Sequence, residues 1–259
     1  MKEMDRLIRI METLRGPGGC PWDAKQDHKS MLKGLIEETY ELADAVEKEN
    51  NEDMLEELGD VLLHVVFHSI IAAEDKAFTM ADVIDRLSDK LVYRHPHVFG
   101  DARVKDADEV TRNWDRLKRK ENGKENRTSI FEGIPGTLPA LLYALKIQSK
   151  AARVGFDWDG PDGVMEKIRE ETEEVAEAVG QGEDAVTEEI GDLFFTVVNL
   201  ARMHGVDPEA ALRRSNRKFV TRFREIEEAA RRQGIGLSDM PMEEKERIWQ
   251  AAKGKKGEG

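Results

Sequence analysis

The stretch Ile36-Glu-Glu-Thr-Tyr-Glu-Leu-Ala-Asp-Ala-Val46 returns as Arg169-Glu-Glu-Thr-Glu-Glu-Val-Ala-Glu-Ala-Val179, with seven of the eleven positions identical. A second stretch, Glu56-Glu-Leu-Gly-Asp-Val-Leu-Leu-His-Val-Val66, returns as Glu188-Glu-Ile-Gly-Asp-Leu-Phe-Phe-Thr-Val-Val198, with six of eleven identical. The copies lie 133 and 132 residues apart, so they differ by one residue of loop. That period is too long for a solenoid unit and indicates duplication of a whole domain. The repeat extends outward. Lys90 and Arg94 correspond to Lys218 and Arg222, and Trp114 and Lys118 to Trp249 and Lys253.

These correspondences predict two domains, over 1–120 and 138–259. The linker between them, over 121–137, reads ENGKENRTSIFEGIPGT and is rich in Gly, Asn and charge. Each half is expected to be helical. One helix runs from Ser30 to Glu49, with its counterpart from Gly163 to Gly180. Breaks follow at Asn50-Asn51 and at Gly180-Gln-Gly182. A second helix starts near Glu52, or near Glu183, and turns apolar after Asp60 or Asp192. Further helices are expected over Met80 to Tyr93, Asp108 to Lys120, Pro208 to Gln233 and Met242 to Ala252. Four or five helices per half make the predicted fold class all-α, a tandem of helical bundles.

Composition narrows the function. The 259 residues carry a net charge of -13, the opposite of what duplex binding by phosphate neutralisation requires, so no nucleic-acid partner is expected. The most apolar runs, Val61 to Ala73 and Leu193 to Ala201, are too short to span a bilayer, and no membrane partner is expected. No secretory signal opens the chain, and its single cysteine, Cys20, admits no internal disulfide; both fit a reducing cytoplasm.

The acids are patterned. Glu37, Glu41 and Asp44 fall at i, i+4 and i+7 on one helix, Glu38 and Glu41 at i and i+3, and Glu57 and Asp60 at i and i+3 on the next. Like charges at that spacing destabilise an isolated helix, and divalent cations would offset the repulsion. Glu38, Glu41, Glu57 and Asp60 thus form one candidate oxygen cage for metal. Glu171, Glu174, Glu189 and Asp192 form the second. Oxygen-only donors suit Mg²⁺, with Mn²⁺ a possible substitute. A di-iron bundle would need Glu-x-x-His, and here the motif ends in Asp.

Each half also offers cations beside a tryptophan. Lys218 and Arg222, and likewise Lys90 and Arg94, stand one helical turn apart; so do Trp249 and Lys253, and Trp114 and Lys118. A tryptophan one turn from a lysine can stack a base while the lysine holds phosphate. His64 and His68 lie on an apolar face and read as core or subunit-contact residues. His95 and His97 have no partner in the second half. Neither a Gly-x-x-x-x-Gly-Lys phosphate loop nor a Gly-x-Gly-x-x-Gly fingerprint is present.

At these residues the chain resembles the MazG family of nucleoside triphosphate pyrophosphohydrolases. The motif Glu-Glu-x-x-Glu followed by Glu-x-x-Asp is present as Glu37, Glu38, Glu41, Glu57 and Asp60. It recurs as Glu170, Glu171, Glu174, Glu189 and Asp192. The segments CPWDAKQDHKS, YRHPHVFGD and KIQSKAARVGFDWDG also resemble the family's two-domain form. The resemblance implies an all-α fold, an intertwined homodimer and Mg²⁺. It implies hydrolysis of ribo- and deoxyribonucleoside triphosphates, between the α and β phosphates, to monophosphate and pyrophosphate. It implies metal binding by the second Glu of each pair, the next Glu and the Glu-x-x-Asp acids. It also places Lys218, Arg222, Trp249 and Lys253 at the nucleotide. Glu170, and Glu37 in the first half, are candidates for the catalytic base or for orienting it.

Two other readings compete. Arg169-Glu-Glu-Thr-Glu-Glu resembles part of a Nudix box, but Pro161 stands where that box needs a Glu, and the helical repeat disagrees with an α/β fold. A non-catalytic, dimeric nucleotide or metal sensor would bind nucleotide with Mg²⁺ and release no pyrophosphate.

Overall fold

The computed structural model describes residues 2–106, 109–110, 113–114, 117–118 and 128–254. All regular structure among them is helical. The chain divides into two compact units between residues 125 and 126.

The first unit contains α1 (Lys2–Arg15), α2 (His28–Glu47), α3 (Asn51–Glu74), α4 (Met80–Arg94) and the single turn α5 (Pro96–Phe99). The second contains α6 (Ala140–Ala152), α7 (Pro161–Ala178), α8 (Glu183–Met203), α9 (Pro208–Gln233) and α10 (Met242–Gly254). The helices expected from the repeat are present. Three helices have no counterpart in that reading, α1, the single turn α5, and α6. Of the helix expected over 108–120, Glu109, Val110, Asn113, Trp114, Leu117 and Lys118 are described and helical; residues 121–127 of the expected linker lie outside the described residues.

The functional pair in each unit is a helical hairpin. α2 and α3 pack along their length, and so do α7 and α8. The connections are short, which makes neighbouring helices antiparallel. The Asn50 side chain caps α3, accepting from the backbone N–H of Glu52 at 3.0 Å and of Asp53 at 3.4 Å. Such a cap is worth about 1 kcal/mol. The residue before it, Glu49, turns the chain at φ 54°, and Gly182 turns the second hairpin at φ 121°. At the other end of α2, Asp27 and Ser30 form a reciprocal capping box.

The first core joins Met11 of α1, Met31 of α2, and Val66, Phe67, Ile70 and Ile71 of α3. Arg15 fastens this core to the loop after α1. Its guanidinium donates to Glu74 Oε1 at 2.8 Å and Oε2 at 2.7 Å, and to the carbonyls of Asp23 and Gln26 at 2.6 and 3.1 Å. It also lies 5.0 Å over the Phe67 ring. One side chain thereby ties the end of α1, the Cys20–Gln26 loop and the end of α3. In the second unit α9 carries Ile226, Ala229 and Ala230 onto Met240, with Phe223, Leu237, Ile248 and Trp249 packed around them. α6 and α9 both pack on α8.

Candidate active site

Within the second hairpin, Glu171 and Glu174 of α7 and Glu189 of α8 bring one carboxylate oxygen each within 4.8 Å of the others. Glu38 and Glu41 of α2 and Glu57 of α3 form the same cluster in the first unit. The cause is local. Each pair on the first helix shares a stripe at i and i+3, and the antiparallel turn sets the acid of the second helix opposite. Asp60 and Asp192 sit one turn further along and stand outside these two groups. Asp60 still adds its field to Glu57.

Among the described residues, each cluster keeps one carboxylate oxygen without a partner. Glu171 is 4% exposed and its Oε2 is buried without a hydrogen-bond partner; Glu57 Oε2 is in the same position. Burial pushes the Glu57 carboxyl above the ordinary range, helped by Glu41, Glu38, Asp60 and Glu56. Burial also pushes Glu174 up; Lys167 opposes the shift, and Glu171, Glu170 and Glu189 add to it. Crowded, oxygen-only donors with orphaned oxygens fit a hard divalent cation.

Lys167 was not singled out by the sequence. Its ammonium lies 2.8 Å from Glu170 Oε1, 2.8 Å from Glu171 Oε1 and 3.8 Å from Glu174 Oε2. The bonds to Glu170 and Glu171 raise its pKa, so it is a fixed cation. The signal was available: Lys167, Glu171 and Glu174 fall at i, i+4 and i+7. In the first unit the aligned residue is Gly34. A Cβ there would meet His64 Cε1 at 2.8 Å, so an imidazole occupies the space. Glu37 pairs instead with Lys33 at 3.3 Å on the exposed side of α2. Glu170 and Glu37 are therefore in ion pairs at the rim and are not members of either cluster.

The basic and aromatic candidates come together in both units. Arg222 Cζ and Lys253 Nζ each lie 5.9 Å from the Trp249 ring centroid, and Phe219 packs on the same ring at 5.1 Å. Arg94 Cζ lies 4.7 Å and Lys118 Nζ 5.1 Å from the Trp114 centroid. Lys218 and Lys90 stand one turn before the two arginines, on α9 and α4. Each cation is attracted by the negative face of its tryptophan ring.

His28 Nδ1 and His68 Nδ1 face each other at 2.8 Å, a pairing that the apolar pattern around His68 did not reveal.

The chain is similar to known proteins over nearly its whole length. The model of the MazG nucleotide pyrophosphohydrolase domain matches residues 26–99 and again 160–226, the two hairpins with their flanks. The nucleoside triphosphate pyrophosphohydrolase/pyrophosphatase MazG of Thermotoga maritima is 49% identical over 250 residues, covering 96% of this chain and 95% of that protein. The nucleoside triphosphate pyrophosphohydrolase of Escherichia coli K12 is 41% identical over 257 residues, covering 98% of each. A crystal structure of a mazG-related protein from Thermotoga maritima aligns with 45% of this chain and 99% of its own, at 29% identity and a TM-score of 0.39. With the domain matched twice and relatives aligned over nearly its full length, the chain belongs to the MazG nucleotide pyrophosphohydrolase family, a family of hydrolases.

Proposed function

We propose that this hydrolase cleaves ribo- and deoxyribonucleoside triphosphates between the α and β phosphates, giving the monophosphate and pyrophosphate, with Mg²⁺ (or Mn²⁺) as its metal. Clearing surplus or unwanted triphosphates from the nucleotide pool would be its purpose. The observation that carries this reading is the pair of three-carboxylate clusters, each with a buried oxygen that lacks a partner.

Glu171, Glu174, Glu189 and Asp192 would hold the metal in the second unit, and Glu38, Glu41, Glu57 and Asp60 in the first. When bound, the metal supplies a water of lowered pKa and charge neutralisation at the phosphates. The rest of the work falls to the chain. Lys218 and Arg222, with Lys90 and Arg94 in the first unit, attract and hold phosphate oxygens. Trp249 with Lys253, and Trp114 with Lys118, offer a ring for the base. Glu170 and Glu37 sit at the rim, where a carboxylate can accept the proton of the attacking water; Lys167 holds Glu170 in place. Water adds to the α phosphorus, the bond from that phosphorus to the bridging oxygen breaks, and pyrophosphate departs.

The working unit is a homodimer in this reading. Ile190, Phe194 and Val197 form an apolar stripe at i, i+4 and i+7 on α8, and Phe194 is 60% exposed. Leu55, Leu58 and Val65 lie similarly exposed on α3. Apolar stripes on the long hairpin helices suit pairing with a second copy. No helix among the described residues is long and apolar enough to cross a membrane.

The test is product analysis with a panel of nucleoside triphosphates, in Mg²⁺ and in EDTA. Metal-dependent release of pyrophosphate with monophosphate supports the proposal. Mg²⁺-dependent nucleotide binding without product would favour a sensor, and orthophosphate release would place the cut at another bond.

A further inference from the structure

We propose that His28, His64 and His68 form a second kind of metal site in the first unit, for a divalent transition ion of the zinc class. Nitrogen-only ligation distinguishes it from the carboxylate clusters. Imidazole suits Zn²⁺, Co²⁺, Ni²⁺ and Cu²⁺, whereas Mg²⁺ takes oxygen.

Two of the three nitrogens already meet, and the third stands apart. His28, the first residue of α2, and His68, on α3, point their Nδ1 atoms at each other across 2.8 Å. Their rings are within 6° of parallel. Two nitrogens on one ion at about 2.0–2.1 Å and a tetrahedral angle stand about 3.3 Å apart. Taking up a metal therefore widens the pair by about half an ångström and swings the rings from head-on to a tetrahedral angle, and His28 is exposed at a helix start, where it is free to make that movement.

The third donor is His64, one helical turn before His68 and on the same face. His64 is 6% exposed, and among the described residues its Nδ1 is buried without a hydrogen-bond partner. Buried imidazole nitrogens normally find partners. His64 completes the site by turning its ring toward the pair, from its seat over Gly34. Burial, with His28 and His64 as neighbours, holds His68 below the usual histidine range, in the neutral form that ligates metal.

The site borders the acidic one without sharing a ligand with it. His68 follows Glu57 by eleven residues on α3, roughly 16 Å along the helix axis, while His64 stands one turn beyond Asp60. It is also confined to one half. The aligned residues of the second unit are Pro161, Thr196 and Leu200, none of them an imidazole.

Co²⁺ titration of the full chain, followed by its visible absorption with Mg²⁺ in excess to fill the carboxylate clusters, tests the proposal. One equivalent of Co²⁺ with a nitrogen-ligated spectrum is expected, displaced by Zn²⁺. His28→Gln should weaken that binding by about tenfold or more, with an unchanged circular dichroism spectrum, and His68→Gln should abolish the band. Glu57→Gln and Glu189→Gln should leave it intact. If His28→Gln binds Co²⁺ with wild-type stoichiometry and spectrum, or the wild type shows no such band, the histidines are a plain hydrogen-bonded pair and the proposal falls.

Discussion

Lys167 Nζ lies 2.8 Å from Glu171 Oε1, so the buried acid of the second cluster is held by a lysine from its own helix, one turn away. The first cluster has Gly34 at that position and draws no such cation from it. The two sites share their carboxylates and differ in what balances them.

Lys167→Met should lower the melting temperature of the metal-free protein. It leaves Glu171 buried with no cation. Mg²⁺ should then raise the melting temperature more than it does in the wild type, because the ion replaces the missing charge. The lysine's pKa is raised, so its contribution is complete below the ordinary lysine value and is lost only as pH climbs through the raised one. Across neutral pH the wild-type pairing is therefore constant. Thermal melts with and without Mg²⁺ would measure both effects; equal Mg²⁺ shifts in the two proteins would contradict the prediction.

Glu171→Ala or Asp192→Ala should cut pyrophosphate release from the second unit by about a hundredfold or more, and Glu38→Ala or Glu57→Ala should do the same to the first. Steady-state rates of the two single-site knockouts, compared with a combined one, apportion turnover between the units. Unchanged rates in the combined variant would remove the carboxylates from the reaction.

Arg15→Gln should destabilise the first unit by about 2 kcal/mol, since it deletes charged hydrogen bonds from a largely buried guanidinium to a half-exposed partner. Acid should act on the wild type through the same contact. The Glu74 pKa is lowered, first by its hydrogen bond with Arg15. The stabilisation is thus complete above the ordinary glutamate value and is lost as pH falls through the depressed one. Urea unfolding at neutral pH and near pH 3 should show the gap between wild type and variant narrowing in acid.

Trp249→Leu should raise KM for a nucleoside triphosphate by about tenfold and leave kcat nearly unchanged, if the ring serves base stacking in ground and transition states alike. Initial rates over a range of substrate concentrations would separate the two constants. A fall in kcat at constant KM would give Trp249 a different task.

The hairpins were legible because both duplicated segments carry acids on one stripe and apolar residues on another, which is a property of single helices. The short breaks at Asn50 and Gly182 then imply the antiparallel pairing. α1 was also within reach: Met4, Leu7, Ile8, Met11 and Leu14 keep helical spacing, and they pack on the first core. α6 holds the same place in the second unit, before the hairpin and packed on its second helix. What a linear pattern conceals is contact between helices. His28 and His68 are 40 residues apart, and nothing in either neighbourhood indicates that their nitrogens meet. Lys167 was hidden for another reason, since a lysine before acids on a charged helix reads as a surface ion pair until Glu171 is known to be buried.

Gly34 and His64 in one unit stand where Lys167 and Thr196 stand in the other, and a Cβ at position 34 would lie 2.8 Å from the imidazole. The two positions therefore bear on each other across the hairpin: a side chain at position 34 needs the imidazole to swing aside, and removing the imidazole leaves a space beside the glycine.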